Sequence, residues 1–243
     1  MSVIDLGKVL IAIPALNEAS NIEGVIWEVK KAVPFADVLV IDDGSTDDTV
    51  HISSQHSDYV ISHAYNLGVG AAMRTAFRFA KHNGYKFVIQ FDGDGQHSAD
   101  FIKQIYEELQ LTDVVIGSRF LGTTTYELEK IRILAIRFLS LMLRAGVQIK
   151  ITDPTSGNRG ANLRAIQLFA DTYPIEYLGD TLGSLIIASK EGLMIKEIPV
   201  VMNGRQGGEA SQTMLASMKH FVRIVLVSLL MFLTWNSNNR RQR

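Results

Sequence analysis

The sequence predicts one α/β domain with a mostly parallel central sheet, followed by an apolar C-terminal helix, and three observations predict it. Short apolar runs rich in Val and Ile recur through the first half of the 243 residues, separated by stretches of helical periodicity. Several of these runs stop abruptly in polar turn residues, as at Asp42-Asp43-Gly44 and Asp92-Gly93-Asp94-Gly95. A last apolar run, Ile224 to Trp235, precedes a basic tail. The domain is expected over 1–210, and the helix and tail over 211–243.

Composition narrows the function classes. Hydrophobic residues make up 47% and charged residues 20%, which excludes a disordered chain. A net charge of -1 gives no support for nucleic-acid binding. With no cysteine, disulfides and thiolate metal sites are excluded. Met1 to Lys8 lacks the basic region and long apolar core of a signal peptide, so an intracellular enzyme is the expectation.

In chain order, Lys8 to Pro14 reads as a strand closed by proline, and Ser20 with Glu23 as a capping box for the next helix. Ile22, Val25, Ile26, Val29 and Val33 form its buried face. Asp37 to Ile41 is the next strand; Ser45 and Asp48 repeat the capping pattern ahead of a short helix to about Ser54. Tyr59 to Ser62 is a weak strand. Asn66 to Gly70 matches only part of a dinucleotide fingerprint and reads mainly as a tight turn. The helix after it turns Ala72, Ala76, Phe79 and Ala80 inward and stops near Gly84. Phe87 to Phe91 is a buried strand, Ala99 to Gln110 a helix, and Asp113 to Gly117 a strand. Strands separated in this way by helices pair in parallel, with both faces covered. Ligands then sit beyond their carboxyl ends, where Pro14, Asn17, Asp42, Asp43, Asp92 and Asp94 all fall. Asp92 and Asp94 read equally as a polar turn or as a pair suited to a hard divalent cation.

Six ordered blocks carry a resemblance. They are Pro14-Ala15-Leu16-Asn17-Glu18, Asp42 to Asp47, Asn66 to Gly70, Asp92 to His97, Gly117-Ser118-Arg119-Phe120 and Thr152 to Arg159. Together they resemble the family-two glycosyltransferases of GT-A fold, a Rossmann-like fold of nucleotide-diphospho-sugar transferases. The likeness is closest to the branch with dolichyl-phosphate mannose synthase and bacterial polyprenyl-phosphate (undecaprenyl-phosphate) glycosyltransferases. It spans about 9–211. The chain departs from the family pattern at Leu16, where an aromatic is common, and at Asn158 and Gly160, where Phe and Ala are common.

The resemblance implies a donor-nucleotide set of Pro14, Asn17, Glu18, Asp42, Asp43 and Gly68, with Asp92 beside the diphosphate. It implies Mg²⁺ or Mn²⁺ on Asp92, Asp94 and Gln96, neutralising the leaving nucleoside diphosphate. His97 either adds a contact or is a solvated loop residue. Arg119, Arg132 and Arg137 are the candidates for an acceptor phosphate by position after Gly-Ser-Arg, and Ser156 or Arg159 could also reach it. A phosphate nucleophile is already ionised, whereas a sugar hydroxyl needs a base, for which Asp180 is the candidate. Glu176 and Asp180 as caps of the following helix is an equal reading. Asp94, Arg119 and Asp180 make up the catalytic set. After the last strand, Met194 to Val201, the loop with Arg205 reads as a lid over the diphosphate or a plain linker.

The expected reaction is inverting, metal-dependent transfer of a sugar from a nucleoside diphosphate, a UDP-sugar by preference, to a polyprenyl phosphate. The enzyme is expected peripherally on the cytoplasmic membrane face. The run from Ile224 to Trp235 is too short to span a bilayer, so it is expected in the membrane interface, against the domain core or dimer partner, or against a small membrane protein. Transfer to a glycan hydroxyl is the runner-up; sugar nucleotidyltransfer and a non-catalytic subunit are weaker readings.

Overall fold

A computed structural model describes residues 8–93, 99–121, 130–175 and 179–200. The strands are β1 (Val9–Ala15), β2 (Asp37–Asp42), β3 (Tyr59–Ser62), β4 (Phe87–Gln90), β5 (Val114–Ser118), β6 (Arg159–Asn162) and β7 (Ile195–Pro199). The helices are α1 (Ile22–Ala32), α2 (Thr49–His56), α3 (Val69–His82), α4 (Asp100–Leu109), α5 (Lys130–Val147), α6 (Leu163–Thr172) and α7 (Ser184–Lys190), the last entered through a π-helical turn at Gly179–Gly183.

The strands form one sheet in the order β3-β2-β1-β4-β6-β5-β7. All neighbours are parallel except around β6, which runs antiparallel to both β4 and β5. Because side chains alternate along a strand, each inner strand feeds two cores. Leu10, Leu39, Ile41 and Val88 meet α3, α5, α6 and α7 on one face. Ile11, Ile13, Val40 and Ile89 meet α1 and α4 on the other. The predicted face of α1 is buried as expected. On α3 Ala72, Ala76 and Ala80 are buried, but Phe79 is half-buried and Phe77 takes the core position; the helix ends at His82 with Gly84 at φ +73° just beyond.

Two local expectations are corrected. Ser20 does not cap α1: the helix begins at Ile22 after Asn21, and the Glu18 carbonyl accepts from the Asn21 and Ile22 amides, both at 2.9 Å. Ser45 does not cap α2 either. Its hydroxyl accepts from the Asn17 amide (2.8 Å), while Asp47 takes the Thr49 amide (3.0 Å) and hydroxyl (2.5 Å) at the helix start. The polar residues expected to serve their own helix are thus partly spent joining neighbouring loops. The expected C-terminal helix lies outside the described residues, and no described helix is long and apolar enough to cross a membrane.

Gly160 departs from the family pattern for a packing reason. A Cβ there would collide with Ile105 Cγ2 and stand 2.7 Å from Leu109 Cδ1, because α4 lies directly on β6. Gly160→Ala should therefore lower the unfolding free energy by about 1–3 kcal/mol, read by urea denaturation, as overpacked cores do. An unchanged midpoint would mean that α4 yields freely.

Candidate active site

At the ends of β1 and β2, loops from separate elements lock together. Pro14 is the penultimate residue of β1, and its carbonyl is so close to Gly93 that a Cβ there would stand 3.3 Å from it. Asn17 adopts φ +55°, donates its amide to Ser45 and accepts the Thr46 amide on Oδ1 at 2.9 Å. The Glu18 amide donates to the Thr49 hydroxyl at 2.8 Å. Gly44 sits at φ +84° against the Tyr65 backbone, where a Cβ would come within 2.7 Å. Only glycine satisfies both the left-handed conformation and that approach.

The two buried carboxylates after β2 have different environments. Asp43 lies 2.8 Å from His63 Nδ1 and accepts the Leu67 (3.0 Å) and Gly68 (2.7 Å) amides. It therefore fixes the turn into α3, where Gly68 takes φ +90°. Asp42 accepts from the Ser45 amide at 3.2 Å. Asp42 thus closes its own turn, while Asp43 is a strut between loops.

Beyond β4, Phe91 adds one more bond to β1, its amide donating to the Ala12 carbonyl at 3.0 Å. Asp92 follows, half-buried, with its Oδ1 accepting from the Gln90 amide group at 3.2 Å. Across from it runs the 154–157 segment: a Cβ on Gly157 would stand 2.6 Å from Asp92 Oδ2. Oxygen donors at a strand end suit a hard divalent cation. Asp94, Gln96 and His97 lie outside the described residues, among which no three potential ligand residues group together.

The 152–157 segment is held from three sides. Asp153 is fully buried and takes Arg119 in a bidentate pair, Nε at 2.6 Å and an Nη at 2.8 Å, with the Arg119 amide at 3.2 Å. Burial alone would raise this carboxyl, but the hydrogen bonds and charge of Arg119 outweigh it and hold it below its ordinary value. From β7, Glu197 accepts the Thr152 and Asp153 amides, both at 2.7 Å. Arg159 supplies the third hold. Its guanidinium donates to the carbonyls of Ser156 (2.7 Å), Pro154 (2.5 Å), Asp180 (3.1 Å) and Thr181 (3.0 Å).

That last pair of bonds brings in Asp180, in the π-helical turn. Burial raises its carboxyl above the ordinary range; the nearby charge of Arg159 opposes this, and Asp92 adds to it. Asp92 and Asp180, 88 positions apart in the chain, therefore feel each other's charge; Gly157 packs against the first, and Gly70 in the first turn of α3 against the second.

Residues 10–167 of this chain match the family described as glycosyl transferase family 2. The chain is a family 2 glycosyltransferase. It is 29% identical over 215 residues to the undecaprenyl-phosphate mannosyltransferase of Micrococcus luteus, covering 85% of this chain and 88% of that one. It is 26% identical over 215 residues to the UDP-N-acetylglucosamine–dolichyl-phosphate N-acetylglucosaminyltransferase of Methanococcus voltae, covering 79% and 84%. Glucosyl-3-phosphoglycerate synthase from Mycobacterium tuberculosis, solved with Mn²⁺, UDP and glucosyl-3-phosphoglycerate, superposes with a TM-score of 0.68 at 21% identity, over 93% of this chain and 79% of that one. The shared fold is the GT-A-like α/β fold.

In this glycosyltransferase the predicted site residues divide. Pro14, Asn17, Glu18, Asp42, Asp43, Gly68, Asp92 and Asp180 gather at the expected end of the sheet. Arg119 and Arg159 lie there too, but each is 8% exposed and bonded to protein groups. The Ser156 hydroxyl accepts from the Asn158 amide (3.2 Å) inside its own turn. Arg137 is exposed on α5; Arg132 is in the same helix, with its side chain outside the described residues, as is Arg205. The sequence reading missed Glu197, His63, Tyr173 and Ser184. Nothing local marks Glu197, His63 or Tyr173, since each acts on a partner seven or more residues away; Ser184 reaches the Asp180 and Thr181 carbonyls, four and three residues back.

Asp153→Asn should strand a buried guanidinium and cost about 3 kcal/mol at neutral pH. A carboxyl held low in the folded state stabilises above its unfolded pKa, and that stability is lost as pH falls through the folded value. The gap between wild type and variant should thus narrow as pH falls below about 4. Urea unfolding at pH 7 and pH 3 checks this; an equal gap at both would place the effect elsewhere.

Proposed function

We propose that this glycosyltransferase moves a sugar from a nucleoside diphosphate, a UDP-sugar by preference, to a polyprenyl phosphate at the cytoplasmic membrane face. The observation that carries this reading is an alignment over 85% of the chain with a protein named for transfer to undecaprenyl phosphate. The site chemistry supports it. The interlocked loops around Asn17, Asp42 and Gly44 make a preformed rim for a nucleotide, with little left to order on binding.

Asp92, with Asp94 and Gln96 by sequence, would hold Mg²⁺ or Mn²⁺, which when bound offsets charge on the leaving diphosphate. Arg205 would close over the same diphosphate. Asp180, whose carboxyl feels the charge of Asp92, would stand at the reacting centre. A phosphate nucleophile needs placement and charge balance, and exposed Arg137 with Arg132 on α5 would supply both. Arg119 contributes by holding the Asp153 turn, and Arg159 by holding the 154–157 and 180–181 carbonyls, with Ser156 closing its own turn. Membrane contact would come from the apolar run in 211–243.

The raised Asp180 carboxyl favours a second reading, transfer to a glycan hydroxyl, because that nucleophile needs a base with an elevated pKa. One assay separates the two: nucleotide sugars with Mn²⁺, offered undecaprenyl phosphate or a glycan. Lipid-linked product alone supports the first reading; glycan product alone overturns it.

Asp92→Asn should lower kcat by about 100-fold or more while leaving the melting temperature unchanged, on the scale of a lost charge-stabilising group. Near-normal turnover at saturating Mn²⁺ would remove Asp92 from the metal set. Gly157→Ala should likewise depress kcat, by about tenfold, because its methyl would displace the Asp92 carboxylate. If metal titration and kcat are both unchanged, the close approach has no catalytic meaning.

A further inference from the structure

We propose that Tyr173, Ser184 and Arg159 form a clamp that positions Asp180, and that Tyr173 is a positioning residue for the transfer. The inference rests on the placing of Asp180 at the reacting centre. The Asp180 backbone carbonyl accepts from the Ser184 hydroxyl at 2.5 Å, the Tyr173 hydroxyl at 3.1 Å and the Arg159 guanidinium at 3.1 Å. A carbonyl oxygen has two lone pairs, so convergence of these donors fixes the peptide plane in both tilt and rotation. The donors are buried, at 3%, 2% and 8% exposure, so water does not compete for the same oxygen.

Asp180 lies in a π-helical turn, Gly179–Gly183, and the carbonyls of Asp180 and Thr181 accept from Arg159 and Ser184. On the other side, Gly70 backs the turn: a Cβ there would stand 3.3 Å from the Asp180 Cβ and 2.6 Å from the Pro174 carbonyl. A glycine wall and a fixed carbonyl thus hold the Asp180 backbone and Cβ, from which the carboxylate projects. Behind the clamp lies a cavity of about 20 Å³ lined by Gln90, Arg159, Tyr173, Ser184 and apolar residues, room for one water-sized group. Loss of one donor therefore gives the peptide somewhere to swing. Burial pushes the Tyr173 phenol up to about 12, so it remains a donor at any working pH.

A purely structural role predicts lost stability alone; a positioning role predicts coupling to Asp180. The test is a double-mutant cycle of Tyr173→Phe and Asp180→Asn in the full chain. UDP-glucose and GDP-mannose serve as labelled donors, with undecaprenyl phosphate and Mn²⁺, and crystal structures of wild type and Tyr173→Phe accompany it. Tyr173→Phe should lower kcat by about tenfold, the scale of one hydrogen bond, and leave the donor KM within about twofold. In the Asp180→Asn background it should add nothing. In the crystal the Asp180 carbonyl should rotate toward the cavity and the carboxylate move relative to Asp92. The inference is overturned if Tyr173→Phe leaves kcat intact while Asp180→Asn lowers it, or if its loss is the same in both backgrounds. Full activity of Asp180→Asn would remove Asp180 from the reacting centre, and the inference with it. Should neither donor be turned over, the crystals decide: an unmoved Asp180 in Tyr173→Phe overturns the clamp.

Discussion

Burying a guanidinium without a carboxylate in contact is costly, and Arg159 meets that cost with backbone carbonyls from two segments at once. The rest of the site depends on this arrangement. Arg159 opens β6, the one strand that runs against its neighbours, so its side chain emerges at the same end of the sheet as the carboxyl ends of β4 and β5. From there it reaches the 154–156 turn on one side and the π-helical turn on the other. Arg119, one residue past β5, is neutralised directly by Asp153. Arg159 keeps a charge that the surroundings still feel, and it tempers the rise that burial and Asp92 impose on Asp180.

The parts of the fold legible in the sequence are those where side-chain chemistry and backbone state coincide. Val-Leu-Ile-Ala-Ile and Asp-Val-Leu-Val-Ile can hardly be anything but buried strands, and their polar ends fall where the loops interlock. β6 was not legible: Arg-Gly-Ala-Asn has neither β-branched nor aromatic residues. It is a strand because a narrow slot between β4 and β5, roofed by α4, admits only small side chains at its centre. The capping boxes at Ser20 and Ser45 failed for a related reason. Short-range patterns predict short-range bonds, while Ser45 bonds Asn17, 28 positions back.

Charges were read with the same bias. A sequence shows that an arginine follows Gly-Ser; it does not show a buried aspartate 34 positions on that claims it. Asp43 is similar, with both oxygens taken by the loop into α3. These residues lie at the expected end of the sheet, and each has a protein partner that the sequence does not show. The distinction has a physical basis, because ligand contact requires residual lone pairs or donors. Asp92 is half-buried, whereas Asp42 and Asp153 are buried, at 2% and 0% exposure.

This division of the arginines bears on which element reads the acceptor. On the proposed reading, a phosphate brought to Asp92 and Asp180 would meet two carboxylates, with the nearby cation, Arg159, already bonded to backbone carbonyls, so it would need further cations. Arg119 and Arg159 are committed within their own loops. Exposed Arg137 stands instead on α5, whose inner residues Leu139 and Leu143 anchor it in the core. Ser140, on the same helix, donates to the Thr152 carbonyl at 3.2 Å, so α5 and the Asp153 turn form one body. On the proposed reading, acceptor recognition is then separable from donor chemistry. The donor rim, Asp92 and Asp180 would belong to the sheet ends, and the charge that meets an anionic acceptor to a helix. Replacing the outer residues of that helix should then alter the acceptor without touching the buried bonds that hold the Asp180 backbone in place.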